Sequence, residues 1–125
     1  MTSHSLHEIH TSPDGRLRAV FLSVERAAGI WSRSPRIIDR TSGVVLIDLW
    51  NSAWDAELAW LADGKLKLDL HRYGLQEWCA LVLDPATRTF ELFDHNGPIS
   101  RAPDGSPTTP HRDITRACKM THIKR

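Results

Sequence analysis

Asp69, His71, Arg72 and Tyr73 place four ionisable side chains within five positions. On a strand, side chains two apart share a face, so Asp69 and His71 would stand together as a carboxylate–imidazole pair. Such a pair moves protons usefully when a nucleophile or a second carboxylate stands beside it. No Gly-x-Ser-x-Gly, His-Glu-x-x-His or paired-carboxylate motif supplies one. Leu66, Leu68 and Leu70 alternate with these residues, so the wet face of a half-buried strand accounts for them. A small β-sheet enzyme or ligand-binding module built on a His71/Asp69 face, with Arg72, is the alternative.

His4, His7 and His10 are spaced three apart. On a helix that spacing gathers imidazoles on one face and suits a transition metal; on a strand it separates them. With Met1 removed, Thr2-Ser3-His4 offers an amine, two peptide nitrogens and an imidazole to Cu(II) or Ni(II) in a square plane. Such termini arise easily by chance, so neither a metal nor another cofactor is expected to belong to the protein.

The five tryptophans are the other candidates for chemistry, in this case recognition. Trp60 and Trp78 lie inside strand-like runs and read as core. Trp31, Trp50 and Trp54 fall at or beside loops, where they either close the ends of a sheet or anchor a partner. Asp14, Asp39, Asp48, Asp55 and Asp63 cluster at turns and strand ends, an acidic rim if the fold brings them together. Asp94-His95-Asn96-Gly97 reads as a turn.

These side chains must be positioned by a chain of 125 residues, enough for one domain. An apolar fraction of 41% and a charged fraction of 25% are those of a globular protein. The formal charge of +1 lacks the basic excess of a protein that lives on phosphate backbones, although Arg101, Arg112, Arg116, Lys119, Lys124 and Arg125 make the C-terminal end basic. No apolar run approaches the ~18 residues that span a bilayer, and the first ten residues lack the pattern of a signal peptide. Cys79 in an apolar run and Cys118 in a polar tail read as two reduced thiols of a cytoplasmic protein, with one bridge still open.

Turn signals divide the chain into short strands. Ser5–His10 precedes Ser12-Pro-Asp-Gly15, and Arg16–Glu25 is a long β-branched and aromatic run. Residues 26–34 read as loop and 35–40 as a short strand. Val44–Trp50 is nearly continuous in apolar character, which predicts a central strand covered on both faces. Ala56–Ala62 fits helix or strand, and its length favours strand. Asp63-Gly64 predicts a type I′ hairpin into KLKLDLHRY. Residues 76–83 and 88–94 make another hairpin around Asp84-Pro-Ala-Thr87. The proline-containing stretch 99–110 predicts an extended loop, and the last fifteen residues either a short helix or a loose end. The expected fold is mainly β: a single domain, 1–125, with flexible ends at 1–11 and 99–125 and an antiparallel meander of seven or eight strands in two packed sheets or one curled sheet.

Two stretches of this meander look alike. Ser12-Pro-Asp-Gly15, Ile37-Ile-Asp-Arg-Thr-Ser-Gly43 and Val44-Val-Leu-Ile form one. Ala59-Trp-Leu-Ala-Asp-Gly64, Leu81-Val-Leu-Asp-Pro-Ala-Thr87 and Thr89-Phe-Glu-Leu form the other. The rhythm resembles blades of TolB- and WD40-like β-propellers over about residues 10–94. A propeller closes with at least four blades of ~40 residues, and this chain holds two. In size and character the whole also resembles small bacterial immunity proteins that neutralise secreted toxins. That resemblance implies a non-catalytic inhibitor occluding a cognate toxin, with Trp31, Trp50 and Trp54 as anchors and Asp48, Asp55 and Glu57 as steering charges.

Overall fold

The computed structural model describes residues 5–72, 78–94, 97–98, 114, 118 and 121–122. Thr2-Ser3-His4, Tyr73, His95, Asn96 and the stretch 99–110 lie outside them. The first sheet is a meander of β1 (Ser5–Thr11), β2 (Leu17–Ala27), β3 (Ile30–Asp39) and β4 (Val45–Asp48), paired in that order. The second is a meander of β5 (Trp54–Trp60), β6 (Leu66–Arg72), β7 (Trp78–Asp84) and β8 (Thr89–Asp94). Two short pieces, β9 (Gly97–Pro98) and β10 (Thr121–His122), add to β8. The expectation of an antiparallel β domain with two packed sheets is met. No helix among the described residues is long and apolar enough to cross a membrane.

The sheets face one another across a single core. Leu17, Ala19, Phe21, Ile37, Leu46 and Ile47 come from the first, and Trp54, Ala56, Leu66, Leu68, Leu70, Leu81, Leu83, Phe90 and Leu92 from the second. Period-two alternation produces this directly: the odd positions 17, 19 and 21 of β2 and the even positions 66, 68 and 70 of β6 all turn inward. Ile114 and Cys118 also join the core, Cys118 bridging to Ile47 of β4. The C-terminal residues that are described therefore pack back onto the domain. Both cysteines are buried thiols.

Three local expectations are corrected. Residues 26–34 are not loop: β2 and β3 run to within two residues of each other, and Gly29 closes the hairpin at φ +76°. The β5–β6 turn is not type I′. Leu61 O accepts from Gly64 N at 3.2 Å and Leu61 N donates to Lys65 O at 2.9 Å, with Gly64 at φ +84° and Asp63 outside the positive-φ region. That is a type I turn closed by a left-handed glycine. A two-residue turn would shift the register by one and set the β6 leucines opposite Glu57 and Ala59; the observed register sets Leu66, Leu68 and Leu70 opposite Trp60, Leu58 and Ala56. Third, β4 is not a central strand: it lies last in its sheet and Asp48 is exposed.

β4 stops at Asp48 while β3 continues, which leaves β3 backbone groups without a neighbour. Asp55 meets that need at Arg33, and Ser34 in turn satisfies a backbone donor of the segment that leaves β4. The Asp55 carboxylate accepts from Arg33 N at 2.6 Å, and the Ser34 hydroxyl accepts from Asn51 N at 2.8 Å. These bonds fix the crossing from β4 to β5, residues 49–53.

Candidate functional site

The later part of edge strand β5 faces the end of β1 and the β1–β2 turn across open space at one side of the sandwich. Trp60 stands in the middle of it. On one side of Trp60 a cleft of about 590 Å³ runs between the β1–β2 turn (Ser12, Pro13, Asp14) and the β5–β6 turn (Leu61–Lys65). On the other side a cleft of about 480 Å³ is lined by His10, Arg33, Glu57, Leu58 and Trp60.

The first cleft brings two of the turn aspartates together. Asp14 Oδ1 accepts from the Ser12 hydroxyl at 2.6 Å and from Arg16 N at 3.0 Å, and these bonds hold its carboxyl below the usual aspartate range. Asp63 Oδ1 accepts from Lys65 N at 3.2 Å, and Lys65 Nζ lies 3.6 Å from Asp63 Oδ2. Both carboxylates shape their own turns while facing the cleft.

The second cleft has a charged cluster for its wall. Glu8 Oε2 lies 3.1 Å from His10 Nε2, and Arg33 Nε donates to Glu8 Oε1 at 3.1 Å. The His10 bond, with Arg33 after it, keeps the Glu8 carboxyl below its ordinary value. Arg33 reaches further, donating from Nη1 to Ala56 O at 2.9 Å with its guanidinium 4.2 Å from the centre of the Phe21 ring. Three strands (β1, β3 and β5) are tied by one arginine. The imidazole of His10 is oriented by a carboxylate, but no hydroxyl or thiol nucleophile lines this cleft.

A second surface forms at the end of the sandwich where the chain crosses. Ile30 is 50% exposed and Trp31 41% exposed at the β2–β3 hairpin. Arg26, near that hairpin, donates to Ser52 O at 2.9 Å and holds residues 49–53 alongside it. Trp50 is half-buried on the outer face of the first sheet, 4.9 Å from the Arg36 guanidinium and 5.5 Å from the His7 ring.

The residues singled out in the sequence divide accordingly. Trp31 and Trp50 lie at one end of the molecule, with Asp48 and Asp55 beside the same crossing. Asp48 is 3.3 Å from Arg36 Nε, and Asp55 is engaged by Arg33 N, so both carboxylates already have internal partners. Glu57 is exposed at the second cleft. Trp54 is 1% exposed in the core, and contact with a partner would require the sandwich to open. Asp39 is also buried at 1%, between Arg16 and Arg88. The acidic rim therefore does not form as a unit; only Asp14 and Asp63 share a cleft.

Asp69 and His71 project from the outer face of the second sheet, opposite Glu57 and Asp55, and line neither of the two clefts. His7 and His10 fall on opposite faces of β1, as strand geometry requires. No group of three His, Cys, Asp or Glu side chains placed to hold a metal occurs among the described residues. The roles of Arg33 and Trp60 were not visible in the sequence, because nothing local marks which strand of the other sheet a side chain will meet.

No family model matches the chain, and no curated protein or solved structure matches it significantly.

Proposed function

We propose that this chain is a non-catalytic protein-binding domain that acts by covering a partner, as a bacterial immunity protein covers its cognate toxin. The observation that carries this reading is the exposed apolar end formed by Ile30 and Trp31 beside the crossing segment that bears Trp50. Aromatic side chains on a rigid scaffold bury large area at small entropic cost, and such residues dominate binding energy. The internal pairing of Asp48 and Asp55 shifts the expected mode of contact from electrostatic steering toward apolar anchoring. A partner with a recessed apolar site suits this surface.

The test is coexpression with the product of an adjacent gene that is toxic when expressed alone. The reading expects rescue by this chain, a stoichiometric complex, and at least a tenfold weaker complex for the double variant Trp31→Ala/Ile30→Ser with an unchanged melting temperature. Unchanged affinity in that variant removes this surface from consideration.

A second reading follows from the two clefts that share Trp60. Apolar wall and convergent polar groups are the marks of a small-ligand site. Quenching of tryptophan fluorescence by a ligand, lost in Trp60→Phe, is its expected signature; quenching that persists in the variant places the ligand elsewhere.

A further inference from the structure

Three of the four sheet edges carry a cover. β8 is flanked by β9 and β10, and β4 is bridged through Ile47 to Cys118. On β5, Ser52 Oγ accepts from Trp54 N at 3.2 Å and Arg33 donates to Ala56 O. β1 has no such cover among the described residues. It is paired to β2 without a register break and contains no proline and no lysine, the usual devices that keep an edge from pairing. At its centre Ile9 is 63% exposed, the most exposed large apolar side chain described.

The direction of the backbone groups follows from one bond. Ser12 N donates to Leu17 O at 2.9 Å, in line with the β1–β2 register, so even-numbered residues of β1 turn their backbone groups toward β2. Those of His7, Ile9 and Thr11 then point outward along the open edge.

We propose that β1 pairs antiparallel with β1 of a second copy about a two-fold axis at Ile9, joining the two first sheets into one. Ile9 then faces Ile9 of the second copy as a hydrogen-bonded pair, and His7 faces Thr11 in the same way, each pair exchanging two backbone bonds. The side chains agree with the backbone. In this register Glu8 stands opposite His10 of the second copy, at the non-hydrogen-bonded positions where side chains approach most closely. Moving the axis one residue either way sets Glu8 against Glu8 or His10 against His10. The sequence His7-Glu8-Ile9-His10-Thr11 is thus self-complementary in one register, and Pro13 lacks the N–H that would extend the ladder.

Sedimentation velocity of the full chain over a concentration series tests this, together with two variants. The wild type is expected as a dimer of the 14.1 kDa chain. Ile9→Lys should raise the dissociation constant at least tenfold without changing the fold, since the side chain is exposed and makes no core contact. Ile9→Cys should cross-link to itself on mild oxidation, because a hydrogen-bonded antiparallel pair holds its Cα atoms about 5.5 Å apart, within disulfide reach. Thr11→Cys should not, since its partner is residue 7. A chain that stays monomeric, or a dimer that survives Ile9→Lys without Ile9→Cys cross-linking, overturns the proposal.

Discussion

Arg88 and Asp39 meet across the two sheets: Arg88 Nη2 donates to Asp39 Oδ2 at 3.0 Å although 49 positions separate them in the chain. Arg88 also occupies the left-handed region at φ +54°, in the turn between β7 and β8. Its counterpart between β3 and β4 is Gly43, at φ +77°. Each turn begins with an aspartate, Asp39 or Asp84, four residues earlier. Where one turn uses a glycine the other accepts backbone strain and gains a guanidinium that partners a buried carboxylate.

The two contributions separate in a pair of variants. Arg88→Ala keeps the strained backbone and loses the bonds to Asp39 and Ser42, a loss of about 1–3 kcal/mol. Arg88→Gly loses the same bonds but relieves a left-handed conformation that costs other residues about 1–2 kcal/mol. Urea unfolding should therefore rank wild type above Arg88→Gly and Arg88→Ala lowest. Equal losses would mean that the turn stores no strain.

Asp39 should govern part of the acid limb of stability. Burial pushes its carboxyl up, but the Thr41 N–H, the Ser42 hydroxyl and the Arg16 and Arg88 guanidinium groups together outweigh burial and hold it below the normal aspartate value. A depressed folded-state value contributes stability that is full above the unfolded value of about 3.9 and is lost as pH falls through the folded one. Wild type should thus lose stability as pH drops below about 4. Asp39→Asn should be less stable at pH 7 and show a shallower fall; an acid limb as steep as that of wild type would assign it to other carboxylates.

Trp54 and Trp31 should behave oppositely. Trp54→Ala removes a fully buried side chain and is expected to cost about 3–5 kcal/mol. Trp31→Ala at the exposed hairpin should change stability by about 0.5 kcal/mol or less. Thermal melts of both decide whether the end surface is free of structural duty.

The two thiols should be silent in the native protein. Cys79 and Cys118 are both buried in the core cluster, and a buried apolar thiol is inert. Reaction with an aromatic disulfide reagent should proceed only at the rate of opening and become fast in denaturant. Rapid labelling of one thiol without denaturant would show that the Cys118 bridge to Ile47 opens on its own.

Much of the fold was legible because turns carry local chemistry. Ser12-Pro-Asp-Gly15, Thr41-Ser-Gly43, Asp63-Gly64 and Asp84-Pro each mark a reversal, and alternating leucines mark β6. The β2–β3 hairpin is not legible locally because Trp31, Ser32, Arg33 and Ser34 present polar and aromatic types without alternation; the burial of the two serines depends on Arg26 and Asn51 donating to their hydroxyls. Trp54 looked like a surface residue because it follows a polar break, and only the register of β5 turns it inward. Glu8, Arg33 and Ala56 meet through packing of distant strands, and no spacing rule joins residues 8, 33 and 56.

Within β1–β4 and within β5–β8 every strand pairs with its sequence neighbour, and residues 49–53 join one meander to the other. Cutting that crossing breaks no strand ladder. The two pieces would keep their complementary apolar faces and the Arg88–Asp39 and Arg33–Glu8–Ala56 ties that register one on the other. The domain is therefore a natural split protein, in which residues 1–50 and 51–125, expressed separately, should find each other and rebuild the native sandwich.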